Sequence, residues 1–315
     1  MGGKNIVKCN KYFSMLTFLI ILPTYAGTWT TLDYGGDVTA ETVILGIDGD
    51  NLVGTWSKHG FLYNTISNSW TTIDYPDSWT ELHDIEGDKI AGLQWSNGKF
   101  RGFISNGTTW TILDYPGSAY TQINGINNSK VVGSYYASSP NYTHEQGFVY
   151  DGTTWTSLDF AGSVYTSANG IEGSIIVGTY DTYDYRSGDY RHGFIYDGTT
   201  WTTLDVPGSD STGIRGINEN NIYGGFTDGL GTHGFIYDGT NWTTLDMPGI
   251  TGGRSGTCVT GVEGFNVVGY YSTSDGDTHG FIYEIPEPAS MLLMLFGAAM
   301  WMIFFLKPRP KISMS

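Results

Sequence analysis

Short apolar runs, broken by clusters of glycine, asparagine, aspartate and serine, fill the chain from residue 27 to residue 285. Runs of this length bounded by turn residues predict strands. Many are apolar at consecutive positions, as in Phe194-Ile195-Tyr196, where a sheet with one wet face would alternate. Both faces of each strand are therefore expected to be covered. No segment of 27–285 sustains the three-to-four residue spacing of an amphipathic helix.

The runs repeat. Trp-Thr-Thr-Leu-Asp or a close variant starts at Trp29, Trp70, Trp110, Trp155, Trp201 and Trp242, at steps of 40–46 residues. A second phrase, His-Gly-Phe-Ile-Tyr, places its phenylalanine at Phe61, Phe103, Phe148, Phe194, Phe235 and Phe281. A third couples Gly-Ile to Ile-Val-Gly across a polar turn, as in Gly125-Ile126 with Val131-Val132-Gly133. The second unit departs there, with His83-Asp84-Ile85 and Ile90-Ala91-Gly92. Turn pairs such as Asp151-Gly152, Asp197-Gly198 and Asp238-Gly239 mark hairpins. About four strands per repeat of this length is the arithmetic of a propeller blade.

The two ends of the repeat region complement each other. It begins with a Trp phrase at Thr28-Trp29 and ends with an isolated His279-Gly280-Phe281-Ile282-Tyr283. Pairing those segments completes a sixth unit and removes the open sheet edges. The expected fold is all-β: a six-bladed β-propeller over residues 27–284, its ring closed by the N- and C-terminal strands.

The flanks read as addresses. Lys4, Lys8 and Lys11 precede an apolar run from Tyr12 to Leu22, and small residues at Thr24 and Ala26 fit cleavage between Ala26 and Gly27. Residues 1–26 therefore read as a secretory signal peptide. Residues 285–315 contain Pro286-Glu287-Pro288, an apolar stretch at 291–306 and a tail with Lys307, Arg309 and Lys311. The stretch is expected to be one transmembrane helix, with the basic tail kept on the cytoplasmic side.

This tail resembles the PEP-CTERM sorting signal. The resemblance implies processing near Pro286, Glu287 and Pro288 by the membrane enzyme exosortase, in a Gram-negative bacterium that makes exopolysaccharide. The repeats themselves resemble HAF-type extracellular repeats over most of 27–283. The middle residue of the His-x-Phe phrase is Gly throughout, and Arg101 and Gln146 replace the histidine in two units. That departure weakens any role of the histidine in a site. The resemblance implies an exported location and no established activity, with an inner-membrane-anchored precursor followed by a cell-surface or matrix form.

Charge narrows the function. The chain is at −16 overall. With three basic residues in each flank and one acid outside the middle, residues 27–285 hold nine basic and thirty acidic side chains. Such a surface repels nucleic-acid phosphates and excludes DNA or RNA as partners. With Cys9 in the leader, Cys258 has no partner in the mature chain and reads as a small buried apolar residue.

Candidate chemistry is sparse. His59, His192, His233 and His279 share one repeat position and are expected to bond backbone between strands. Asp33, Asp74, Asp114, Asp159, Asp205 and Asp246 also recur and read as turn or cap residues, with a ring around a central channel as the other reading. No acid–base pair that breaks the repeat stands out. Asp48-Gly49-Asp50-Asn51 and Asp275-Gly276-Asp277 look like fragments of calcium loops but lack the distal glutamate, so they read as turns. No cofactor is expected, calcium being the one left open. The longest inter-run insertions carry Tyr135, Tyr136, Tyr142, Tyr180, Tyr183 and Tyr185 among serines and aspartates, a composition suited to contacts with saccharide or protein. The expectation is a non-enzymatic surface or matrix protein whose partners are exopolysaccharide or other matrix proteins. A propeller-fold glycan lyase or hydrolase and a ligand-free spacer are the alternatives.

Overall fold

The computed structural model describes residues 27–286 apart from 40, 97, 138–143, 183–190 and 251–254. Ala26 and the rest of the leader, Glu287, Pro288, the apolar stretch 291–306 and the basic tail lie outside the described residues, as do Tyr142, Tyr183 and Tyr185. Among the described residues no helix is long and apolar enough to cross a membrane. Gly27–Ile285 forms one compact unit.

That unit holds twenty-four described strands, numbered β1 to β24 in chain order, and one 3-10 turn at Tyr34–Gly36. The repeat builds four-stranded antiparallel meanders. The first is β2 (Thr42–Asp48), β3 (Asn51–Trp56), β4 (His59–Asn64) and β5 (Ser69–Thr72). The first strands of the later repeats are β6 (Trp79–Glu86), β10 (Tyr120–Asn127), β14 (Tyr165–Glu172), β18 (Ser211–Asn218) and β22 (Gly256–Glu263). At Asp151-Gly152 the turn has the expected chemistry. Asp151 accepts the backbone N–H groups of Thr153 and Thr154 at 2.9 and 2.7 Å, and Gly152 takes a φ of 96°.

The hydrogen-bonded sheets differ from six separate ones. They form two eight-stranded and two four-stranded sheets. The reason is local. A single parallel pair, Glu145 with Tyr165, joins the third and fourth meanders, and Thr232 with Gly256 joins the fifth and sixth. The first and last strands pair antiparallel: β1 (Thr28–Leu32) runs along β24 (Thr278–Glu284) from Thr28–Glu284 to Leu32–Gly280. Each meander's first strand lies against the first strand of the next, and β22 lies against β2.

Packing explains the repeated phrases. Phe61, Phe103, Phe148, Phe194, Phe235 and Phe281 are essentially fully buried, five of them at 0% exposure and Phe235 at 1%. Each has a tryptophan against it, Trp70 on Phe61 and Trp155 on Phe148 at ring separations of 5.0 Å. The glycine of Ile-Val-Gly has a steric cause. Each first strand carries a bulge, between Ile123 and Gly125 in β10 for example, and there the facing glycine meets backbone. A Cβ on Gly133 would sit 1.9 Å from the Gln122 carbonyl oxygen, and one on Gly54 2.0 Å from that of Val43. Gly133→Ala is therefore expected to cost about 2–3 kcal/mol by forcing the strands apart, read as a lower urea midpoint. An unchanged midpoint would show that the strand pair yields freely.

Two further polar sets recur. A buried threonine near the start of each first strand (Thr42, Thr80, Thr121, Thr166, Thr212, Thr257) accepts the N–H of the residue after the Trp phrase, at 2.9–3.1 Å. It ties the incoming connection to the next meander. At the other end of the first strands, a carboxylate or amide reaches the neighbouring repeat. Asp48 accepts from Gly87 N–H at 2.8 Å, Glu86 from Asn128 at 2.6 Å, Asn127 from Gly173 at 3.3 Å and Glu172 from Glu219 at 2.9 Å. Asn218 donates to the Val262 carbonyl at 3.0 Å, and Glu263 accepts from Gly49 at 2.7 Å, which links the last repeat to the first.

Candidate functional site

The first strands are bulged and their side chains alternate, so one set of residues faces away from the aromatic cores. That set lines a cavity of about 850 Å³. Its wall includes Val43 and Leu45 from β2, Glu81 and His83 from β6, Gln122 and Asn124 from β10, Ser167 and Asn169 from β14, Arg215 from β18 and Thr260 from β22. Leu45, His83, Asn124, Asn169, Arg215 and Thr260 also line a second space of about 200 Å³. The two spaces therefore share these walls. The smaller one is bordered by the inter-repeat carboxylates Asp48, Glu86, Glu172 and Glu263, each of which already accepts a backbone N–H.

The lining residues are where the repeat breaks. His83 Nδ1 lies 2.8 Å from the Ile123 carbonyl oxygen and Nε2 lies 3.2 Å from Glu81 Oε2. One ring nitrogen therefore faces a backbone carbonyl and the other a carboxylate. Burial pushes the Glu81 carboxyl up, but the hydrogen bond and charge of His83 outweigh it and hold the group below its ordinary value. Here is the acid–base pair that the sequence reading did not find. Its signal was the loss of the repeat at residues 81–84. Next to it, Asp84 stands where the other repeats have glycine, and burial raises its pKa to about 7. The N–H groups of Ile126 and Ile85 hold it lower than burial alone would, while Glu86 and Asp48 push it up.

Arg215 reaches the Cys258 thiol and the Tyr270 hydroxyl. Cys258 is buried as expected, and this arginine, brought from β18, is the basic neighbour its flanks do not show. Tyr136 lines the cavity and donates to Glu145 Oε2 at 2.8 Å.

Tyr135 and Tyr180 are not loop residues. Each is 5% exposed. Tyr135 stacks on Tyr115 and Tyr180 on Phe160, both at 3.7 Å between ring centres. Their strands, β11 (Lys130–Tyr136) and β15 (Ile175–Asp181), run further than the insertion pattern implied. The residues that flank the two longest insertions, Tyr136 and Glu145 for one and Asp181 and Arg191 for the other, all line the cavity.

The repeated histidine bonds a side chain, not backbone. His59, His192, His233 and His279 place Nδ1 at 2.7, 2.7, 2.9 and 2.8 Å from Asp74, Asp205, Asp246 and Asp33. Where the histidine is replaced, Arg101 approaches Asp114 at 3.6 Å and Gln146 donates to Asp159 at 3.3 Å. The repeated aspartate is therefore a strand-to-strand latch and not part of the cavity wall. His144 adds a contact to Asp159 at 3.4 Å. Partial burial opposes protonation of His233, but Asp246 and Asp228 on its two nitrogens raise its pKa above the ordinary histidine value.

The calcium-like fragments are turns. Asp48 and Gly49 are engaged with Gly87 and Glu263, and Thr273 bridges the Asp275–Asp277 bend by donating its N–H to the Asp277 carbonyl at 2.9 Å. Among the described residues no group of three or more His, Cys, Asp or Glu side chains could hold a metal ion.

No protein-family model matches the chain, and no curated protein matches it. Solved structures do. A protein assigned as TolB from Agrobacterium tumefaciens matches at 13% identity over 78% of this chain and 90% of that one, with a TM-score of 0.51. An acylaminoacyl peptidase from Pyrococcus horikoshii matches at 9% identity over 81% of this chain, TM-score 0.51. The present chain spans 46% of that peptidase. The β-propeller domain of the Trilobed protease from Pyrococcus furiosus matches at 14% identity over 79% of this chain and 83% of that domain, TM-score 0.48. The chain is an all-β protein of the β-propeller kind. Identities this low describe fold and carry no activity across.

Proposed function

We propose that residues 27–284 close into a six-bladed ring that binds saccharide of an extracellular matrix in its axial cavity. The antiparallel pairing of β1 with β24 and the Glu263–Gly49 hydrogen bond support closure. The flanks support the address: export by the leader, retention by the tail that resembles PEP-CTERM, and processing by exosortase near Pro286-Glu287-Pro288. The mature protein is then a cell-surface or matrix component and not an enzyme.

The observation that carries the binding reading is the cavity. It is of ordinary ligand-site size. It is lined by amides, hydroxyls and phenols such as Gln122, Asn124, Asn169 and Tyr136, which pair with a hydroxyl-rich ligand. The insertions that carry Tyr142, Tyr183 and Tyr185 begin and end at residues of its wall, so those tyrosines remain part of the proposal. One observation favours the lyase or hydrolase reading: Glu81, His83 and Arg215 share this wall with Tyr136, Tyr165 and Tyr270.

The test is titration of the full chain with exopolysaccharide fragments, with product analysis on the same samples. Saturable binding without cleavage, weakened roughly tenfold in Tyr136→Ala, is expected. Depolymerisation puts the enzyme first. Absence of both binding and cleavage removes the saccharide reading.

A further inference from the structure

The cavity has a side pocket of about 210 Å³ between the fifth and sixth repeats. Two arginines line it, Arg191 at the start of β16 (Arg191–Tyr196) and Arg215 in β18. Three glycines, Gly213, Gly225 and Gly256, and hydroxyl residues such as Ser211 and Thr232 line it with Phe226, Cys258 and Tyr270.

Two of those glycines have no backbone reason to be there. Gly213 and Gly225 do not adopt positive φ. A Cβ on Gly213 would meet its nearest atoms at 3.5 and 3.8 Å, and one on Gly225 at 3.4 and 3.5 Å, which is ordinary contact. Neither is forced by close packing, unlike Gly224 beside them, whose Cβ would lie 2.0 Å from the Gly213 carbonyl oxygen. The equivalents of Gly213 in other repeats are Val43, Glu81, Gln122, Ser167 and Cys258. What the two glycines do is leave room next to a guanidinium.

That guanidinium is available. Arg215 contacts the Tyr270 hydroxyl and the Cys258 thiol, and among the described residues no carboxylate lies within ion-pair distance of it. Its repeat equivalents are Leu45, His83, Asn124, Asn169 and Thr260, so at this position of the first strands a fixed positive charge stands only in β18. Arg191 is half-engaged: its Nε lies 3.3 Å from Asp181 Oδ1, and the rest of its side chain is exposed. In a domain with thirty acids, two arginines facing one glycine-cleared pocket are a local reversal of charge. Planar guanidinium forks match carboxylate geometry.

We infer that the side pocket between Arg191 and Arg215 is a carboxylate subsite, and that the ligand of the axial cavity is a hydroxylated carboxylate of the uronic-acid class. This inference rests on the saccharide reading and deepens it. The acidic exterior repels a long polyanion, so the pocket takes a single uronate, either a free sugar acid or the end of a glycan, with its carboxylate between the arginines and its hydroxyls toward Tyr270 and Thr260. Charge repulsion from the surface is screened within about 10 Å in physiological salt, and a ligand end enclosed in the pocket feels the arginines instead.

The experiment is calorimetric titration of the full chain with glucuronate, a glucuronate-ended disaccharide and its neutral glucose-ended counterpart. The expected result is a preference for the acidic disaccharide of roughly tenfold or more over the neutral one. Arg215→Met is expected to abolish that preference. Gly225→Val, which fills the pocket and keeps both arginines, is expected to do the same and serves if the arginine variant fails to fold. Equal binding of free glucuronate and the acidic disaccharide makes the ligand a sugar acid, and tighter binding of the disaccharide makes it a glycan end. Equal affinity for the acidic and neutral disaccharides, or an acid preference that survives both substitutions, overturns the inference and leaves the saccharide reading standing. No binding of any of the three overturns both.

Discussion

Deletion of residues 27–33 leaves a protein that no longer unfolds as one unit and that self-associates through its last meander. Three losses combine. Trp29 packs on Phe281 and Tyr283 at 5.0 and 4.7 Å, and Leu32 sits in the cluster with Ile44 and Phe61. Removing a half-buried tryptophan and a buried leucine costs about 4–8 kcal/mol together. Asp33 goes too, and with it the carboxylate 2.8 Å from His279. The deletion also bares the hydrogen-bonding edge of β24, five residue pairs long. The total is comparable with the whole stability of an ordinary domain. The check is size-exclusion chromatography with light scattering, alongside urea unfolding. A monomer with a single steep transition would show that β1 is an accessory strand and would remove the main support for ring closure.

The second large effect is a pH dependence set by Asp84. In the unfolded chain this carboxyl titrates near 4. Burial raises it to about 7 in the native protein. Between those values the native state holds one proton more than the unfolded chain, so this group's contribution to stability is full below pH 4 and is lost as pH rises through 7. Three units correspond to a ceiling of about 4 kcal/mol. Asp84 borders the smaller cavity and is only half-buried, so about half of that is expected. Tyr223, whose own pKa is raised by burial and by Asp84, lines the same cavity, as do Glu86 and Asp48. Asp84→Gly restores the residue found in the other five repeats. Urea midpoints measured from pH 4 to 8 should show the variant gaining on the parent protein as pH rises. The slope is the readout, because the substitution also removes the acceptor of the Ile126 N–H and adds a glycine. Parallel curves for the two proteins would sink the assignment.

Much of the fold could be read from the chain because a repeat shows the same physical demand six times. The buried phenylalanine, the tryptophan on it and the glycine facing each bulge recur because each meander repeats the same packing. The matching half-units at residues 28 and 279 imply the β1–β24 pairing. Other features needed the third dimension. The His–Asp latch joins residues thirteen to fifteen apart within a repeat, but Asp33 and His279 lie at opposite ends of the chain. Only the fold shows that Arg101 and Gln146 stand at the same latch.

The cavity wall was the least legible part. Its residues come from strands of all six repeats, from Val43 to Thr278, and share no motif. Exposure was misjudged at Tyr135 and Tyr180 because hydrophobic pattern alone does not tell a long strand from a loop rich in tyrosine. Glu81, His83 and Asp84 were visible as a break in the repeat, but their meaning depends on Ile123 and Ile126 from the neighbouring meander. By itself the sequence determined the local rules: short strands, their turns, the repeated core and the joining of the ends. Those rest on periodicity and on contacts close in sequence, or repeated often enough to stand in for long-range ones. The tertiary structure alone decided which unrepeated side chains meet, at what depth and with what charge. Proximity across strands, and the burial that raises Asp84 and leaves Arg215 facing an open pocket, are properties of the assembled sheets.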